Sequence, residues 1–321
     1  YSLSLMTDHS HKFEKKKSGI FFFKSSSPFE FHHILNGIDI EPKEEIYGSL
    51  IFPENVKLPC PVVIAVHGSA GLRGNHHDHI VNLLEAGIAV FRIHSFEARG
   101  LISIIEDQMR VTLATMITDS FRALSLLSQH PDIDPNKIGI MGWSLGGSTS
   151  FYSAWSPIVK ALTVGDEKFS AHLPLYPGTH IKPEINEWTD APMRILCGDA
   201  DDYTPTSLVK NILDYMKPVK SNIELITYPN AHHSFDSIDP IEFIPYAIKL
   251  TEKFAIIDKN TNLSFTLDDG TIIPCDDAEG RMNLIKAVPN IMGAHAGCDW
   301  EARRQSHKDV VSFFKKEFLN S

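Results

Sequence analysis

The sequence predicts an α/β architecture, with one mostly parallel central sheet and helices on both of its faces. Three observations lead there. Short apolar runs alternate with amphipathic stretches through most of the 321 residues, the pattern of βα units that cover a parallel sheet. The later runs close on turn signals, namely Pro177-Gly178, Gly198-Asp199 and Pro229-Asn230. Several runs are followed at once by polar residues able to do chemistry, as expected where ligands gather at the carboxyl ends of parallel strands.

The elements follow in order. Residues 1–18 form a polar lead whose cluster Lys15-Lys16-Lys17 reads as a solvated tail. Ile20–Phe23 and Ile46–Phe52 read as leading antiparallel strands. Val62–Val66 is apolar throughout, as a fully buried strand should be. His76–Ala86 has helical spacing, with Ile80, Leu83 and Leu84 on one face. Ile88–Ile93 is the next strand. A long amphipathic helix is expected from Ile105 to Gln129, closed by His130-Pro131 because proline cannot extend it. Ile138–Met141 is a strand and Gly146–Trp155 a helix. Ala171–Tyr176, Met193–Cys197 and Ile223–Tyr228 supply further strands, and Glu301–Phe318 a closing helix. The stretch from about Ile256 to Met292, with Asp268-Asp269-Gly270 and Asp276-Asp277, reads as an acidic excursion with one hairpin, flanking a pocket mouth or an interface. The whole reads as one domain carrying that excursion.

Composition narrows the function. Hydrophobic residues at 43% and charged residues at 22% are ordinary for a soluble enzyme. No apolar run approaches the ~18–20 residues of a membrane span. A net charge of −10 leaves no basic surplus for phosphates, so no nucleic-acid partner is expected. The four cysteines, Cys60, Cys197, Cys275 and Cys298, are too few and too scattered for a disulfide scaffold. Cys275 and Cys298 are a candidate pair only in an oxidising compartment. In His76-His77-Asp78-His79 only His76 and His79 have a helical metal-pair spacing. No third ligand is in view, so neither metal nor cofactor is expected.

Four polar sets follow strands. G-W-S-L-G at 142–146 ends a strand and opens a helix of small residues, which is the arrangement of a nucleophile elbow. Ser144 would then project at a helix N-terminus, where negative charge is favoured. Its plainer reading is a helix cap. V-H-G-S-A-G at 66–71 lets backbone approach a substrate oxygen, so the N–H groups of Ser69 and Leu145 can form an oxyanion hole; alternatively it is a glycine-rich turn. G-D-A-D-D-Y-T-P at 198–205 offers Asp199, Asp201 and Asp202, one of which could orient a histidine. Y-P-N-A-H-H-S-F-D at 228–236 offers a histidine able to take a serine proton and return it to a leaving group.

Together these motifs, with H-S-F-E-A-R-G at 94–100, resemble the dienelactone hydrolase family of α/β-hydrolases, over about Pro61–Phe254 and again from Gly293. The resemblance implies a serine hydrolase of a small ester or lactone, with Ser144 as nucleophile, His233 as base and Asp201 as the acid. It also brings Arg99 forward as a substrate-binding candidate, and Trp143 and Tyr176, as pocket wall, are candidates beside it. Three departures concern substrate. The name-giving members have a cysteine where this chain has Ser144, a glutamate at Gly68, and a second arginine at Ser237. Arg99 is then either a remaining anion contact or a tie for the 94–100 loop, and Trp143 and Tyr176 are equally readable as core. Acyl transfer, peptide cleavage, or a non-catalytic receptor are the competing functions, and self-association is left open.

Overall fold

The computed structural model describes residues 18–319; the tail assigned to Lys15-Lys16-Lys17 lies outside them. The chain enters through strand β1 (Gly19–Ser25), helix α1 (Phe31–Leu35) and strand β2 (Glu44–Ile51). Next come β3 (Cys60–Val66), α2 (Gly74–Glu85), β4 (Ala89–Ile93), α3 (Leu113–Ser128), β5 (Ile133–Trp143), α4 (Leu145–Tyr152) and α5 (Ser156–Leu162). They are followed by β6 (Ala171–Leu175), β7 (Ile181–Pro183), β8 (Met193–Gly198), α6 (Thr206–Met216) and β9 (Ile223–Tyr228). The last segment holds β10 (Glu242–Ile248), β11 (Ala255–Ile257), β12 (Leu263–Thr266), β13 (Ile272–Pro274), α7 (Ala278–Ala287), β14 (Met292–Ala296) and α8 (Trp300–Phe318).

The central sheet has eight strands in the order β1-β2-β4-β3-β5-β6-β8-β9. The leading strands run antiparallel, and every pairing from β4 to β9 is parallel. β3 explains why the sheet needs helices on both sides. All seven of its residues are buried, and they alternate between two cores, as the two-residue period of a strand requires. Val62, Ile64 and Val66 face a core shared with α3 and α6, while Val63 and Ala65 face one shared with α2 and α8.

Three boundaries differ from the sequence expectation, each for a local reason. The long helix begins at Leu113 and not at Ile105, because Thr112 caps it by accepting the N–H of Thr115 (3.3 Å). Upstream, Asp107 draws the N–H of Met109 to its carboxylate (3.2 Å) and bends the chain into turns. The helix leaving Ser144 stops at Tyr152, and a separate α5 starts with a proline in its first turn. β5 begins five residues ahead of the expected Ile138, at Ile133.

The excursion is larger and more ordered than one hairpin. β10 and β14 pair antiparallel and bracket it. Between them β11, β12 and β13 form a meander, and β11 joins β7 in parallel, so that a four-stranded sheet runs β13-β12-β11-β7. Strands of three or four residues give too little periodicity to be read from sequence. The candidate Cys275–Cys298 pair is corrected as well: both are free thiols, Cys275 buried in the core and Cys298 in the turn before α8.

Candidate active site

The elbow forms because its glycines leave no room for side chains. A Cβ on Gly142 would lie 2.1 Å from the Gly146 carbonyl oxygen, and one on Gly146 would lie 1.9 Å from that of Val66. The turn between β5 and α4 therefore closes with Ser144 at φ 56° and ψ −112°, a conformation rare for a residue with a side chain. The Ser144 N–H is held by the Leu175 carbonyl of β6 (3.0 Å), and its own carbonyl accepts the N–H of Ser148 (2.8 Å). Leu145 opens α4, so its N–H has no partner within the helix. Ser69 stands in the loop after β3, at the same sheet end.

The loops after β8 and β9 bring an acid and an imidazole to that end. His233 Nε2 lies 2.8 Å from Ser144 Oγ, and its Nδ1 lies 2.8 Å from Asp201 Oδ2. The other oxygen of Asp201 accepts the N–H groups of Tyr203 (2.9 Å) and Thr204 (2.8 Å). These bonds fix the carboxylate before it meets the ring. His233 and Asp201 are both buried, at 4% and 7% exposure, which strengthens the interaction between them. The neighbouring acids are used elsewhere. Asp199 accepts the N–H of Asn230 (2.5 Å), and Asp202 accepts Nδ1 (2.7 Å) and the backbone N–H (2.8 Å) of His295.

A model of the dienelactone hydrolase family matches residues 46–254, more than half of the chain. This chain belongs to the dienelactone hydrolase family. It is an ester-bond hydrolase of that family. A probable 2-oxo-3-(5-oxofuran-2-ylidene)propanoate lactonase from Bradyrhizobium sp is 25% identical, covering 54% of this chain and 73% of the relative. Among solved structures, a putative dienelactone hydrolase from Klebsiella pneumoniae superposes with a TM-score of 0.49 at 19% identity, covering 68% of this chain and 89% of that one. Thermogutta terrifontis esterase 2 gives 0.47 at 16%, covering 60% and 80%.

The departures from the dienelactone hydrolase pattern have structural counterparts. Gly68 packs against the elbow, where a Cβ would meet the Trp143 carbonyl oxygen at 3.0 Å and Ser144 Cβ at 3.4 Å. Ser237 is buried. Arg99 is engaged with the protein's own groups, as in the loop-tie reading. Its guanidinium makes a two-pronged pair with Asp119 (2.7 and 3.0 Å), reaches Glu44 (3.1 Å) and donates to the Ser95 carbonyl (3.0 Å). Burial opposes its charge, and Asp119 and Glu44 outweigh that by raising its pKa well above the ordinary value. It ties the 94–100 loop to α3 and β2. Trp143 and Tyr176 do not line the cavity beside Ser144. The Trp143 ring is packed under His76 and His79. The Tyr176 ring meets His233 edge-on at 4.7 Å.

Sequence reasoning missed two groups around His233. Thr204 Oγ1 lies 3.0 Å from His233 Nδ1, 3.1 Å from Asp201 Oδ2 and 3.0 Å from the Tyr176 carbonyl. Behind Tyr176, the fully buried Asp236 accepts its hydroxyl (2.8 Å), His79 Nε2 (2.9 Å) and Asn75 Nδ2 (3.1 Å). Burial pushes the Asp236 carboxyl upward, and the donors and charge of His79 prevail and bring it down to about 2. Its place three residues after His233 was the only signal. His79 is thus committed to Asp236, and His76 Nδ1 accepts the N–H of Arg73 (3.0 Å). Among the described residues no cluster of three side chains could hold a metal ion.

Proposed function

We propose that the protein cleaves a carboxylic ester or lactone through an acyl-enzyme on Ser144, with His233 as general base and acid and Asp201 as its orienting carboxylate. One observation carries this reading: a continuous line of 2.8 Å contacts from Ser144 Oγ through the His233 ring to Asp201. Ser144 Oγ attacks the carbonyl carbon while its proton passes to His233 Nε2. Asp201 holds the ring in the tautomer with Nδ1 protonated and stabilises the imidazolium that forms. The N–H groups of Leu145 and Ser69 receive the oxyanion, each such donor being worth about 2.7–4 kcal/mol. His233 then protonates the leaving alkoxide, and the carbon–oxygen bond to it breaks. Water repeats the sequence on the acyl-enzyme, freeing the acid and returning the proton to Ser144.

The test is the hydrolysis of a p-nitrophenyl ester by the wild type and by Ser144→Ala. The reading expects turnover in the wild type and a loss of roughly 10⁴–10⁶-fold in the variant, with an unchanged circular dichroism spectrum. A folded variant that kept wild-type rates would end it.

A further inference from the structure

A cavity of about 220 Å³ opens beside Ser144, and the 242–296 segment builds much of its wall. Leu250, Phe265, Leu284, Ile285, Val288 and Ile291 contribute from that segment, and Leu145 and Ile181 from the α/β body. Part of the lining is shut off from solvent: Glu30 is 2% exposed, Leu263 4% and Cys275 3%. The charges in this inner part cancel. Glu30 pairs with Arg281, whose guanidinium also lies over the Phe29 ring at 4.6 Å. His180 is half-buried there, and loss of water around its ring lowers its pKa to about 4, so it meets a ligand as a neutral ring. At the wall Lys253 is paired with Asp268 (2.9 Å).

We infer that this cavity is the acyl subsite of the proposed hydrolase, and that it selects an uncharged aliphatic acyl chain of medium length. The inference rests on the reading of Ser144 as nucleophile. A largely aliphatic wall, whose Glu30–Arg281 and Lys253–Asp268 charges are paired, rewards methylene groups and offers a carboxylate little beyond the part-exposed Lys249, since a buried charge needs its own partner. The group that stays bonded to Ser144 through the acyl-enzyme suits a cavity reaching inward, whereas the alcohol must depart. Size sets the length. With about 30 Å³ for a unit the size of one water, the volume holds about seven such units, matching the six carbons and carbonyl oxygen of a hexanoyl group.

The experiment measures kcat/KM for p-nitrophenyl esters from acetyl to dodecanoyl, for a series of alkyl acetates, and for an adipoyl monoester. The wild type should gain about four-fold per methylene, the value of ~0.8 kcal/mol per buried CH₂, up to about hexanoyl, and then decline. Ile285→Trp should lower the hexanoyl-to-acetyl ratio at least tenfold, and Ile285→Ala should move the optimum to longer chains. Because each ratio is taken on one preparation, a partly unfolded variant cannot mimic the shift. A flat acyl profile, a ratio unmoved by both variants, a length preference on the alcohol side, or faster cleavage of the adipoyl ester would overturn the inference. The last outcome would give Lys249, also on the wall, the role of an anion contact. If the wild type cleaves no ester and takes up no fluorophosphonate at Ser144, the hydrolase reading fails and carries the subsite with it. Labelling with a flat profile removes only the subsite.

Discussion

At Ser144 and His233 the chemistry is local, which is why these two residues were legible. The elbow serine is announced by glycines that cannot be replaced; a histidine is expected from the loop after β9, and the family resemblance chose His233 over its neighbour His232. The acid was harder to identify. Asp199, Asp201 and Asp202 share one loop, and nothing in their chemistry separates them. Their partners do: a backbone N–H, the His233 ring and His295 respectively. Only the resemblance to a family singled out Asp201; no local pattern marked Thr204, and Asp236 had only its place three residues after His233. If the proposed roles hold, Asp201→Asn should leave the fold intact and lower kcat by about 10⁴, because the imidazole then loses its tautomer and its counter-charge. Thr204→Val removes one hydrogen-bonding group beside His233 Nδ1. A bond worth about 1 ± 0.5 kcal/mol corresponds to a fall in kcat of about 3–10-fold with KM little changed, measurable in the same ester assay. An Asp201→Asn enzyme at wild-type kcat would remove the carboxylate from the mechanism.

The strand-turn-helix element around the elbow stores its strain in backbone contacts, and one methyl group is enough to expose it. In Gly146→Ala the new carbon would lie 1.9 Å from the Val66 carbonyl oxygen, so the start of α4 and the end of β3 must move apart. The cost is at least ~3 kcal/mol, in the range of severe overpacking and strain, read from the urea midpoint. A variant with wild-type stability would show that the elbow can open without cost. β3 was legible because its whole length is apolar, and the other central strands because each holds a short apolar run. The short elements were not. α5 has seven residues behind a proline, and β7 finds its partner β11 across more than seventy residues of chain. Pairing at that separation leaves no mark in a local window. The start of α3 was misplaced for a different reason, since the apolar spacing continues upstream of Thr112 while the caps and turns there end the helix.

For the whole molecule, two buried charge arrangements set stability. Asp119 has no exposed side-chain surface and faces Arg99 from α3. Arg99→Ala should therefore cost about 3–5 kcal/mol by stranding a buried carboxylate. Its kcat/KM per folded molecule should stay near wild type, whereas a substrate-anchoring arginine would show its loss mainly in KM. The second arrangement is a set of buried imidazoles. Burial lowers His67 to about 4 and His76 and His172 to about 3. Unfolded histidine titrates near 6.5, so in acid the unfolded chain takes protons before the folded one. Stability is therefore complete above about pH 6.5 and falls as the pH drops toward 4. The slope is up to about 1.4 kcal/mol per pH unit for each histidine. Urea midpoints at pH 7, 6 and 5 should fall steadily, and a flat series would mean that these rings are solvated. The most direct measurement on the central claim is peptide mapping of the protein after reaction with a fluorophosphonate. The account predicts a single adduct, on Ser144, whose formation His233→Ala slows severely. A native protein that forms no adduct, or carries it on another residue, would contradict it.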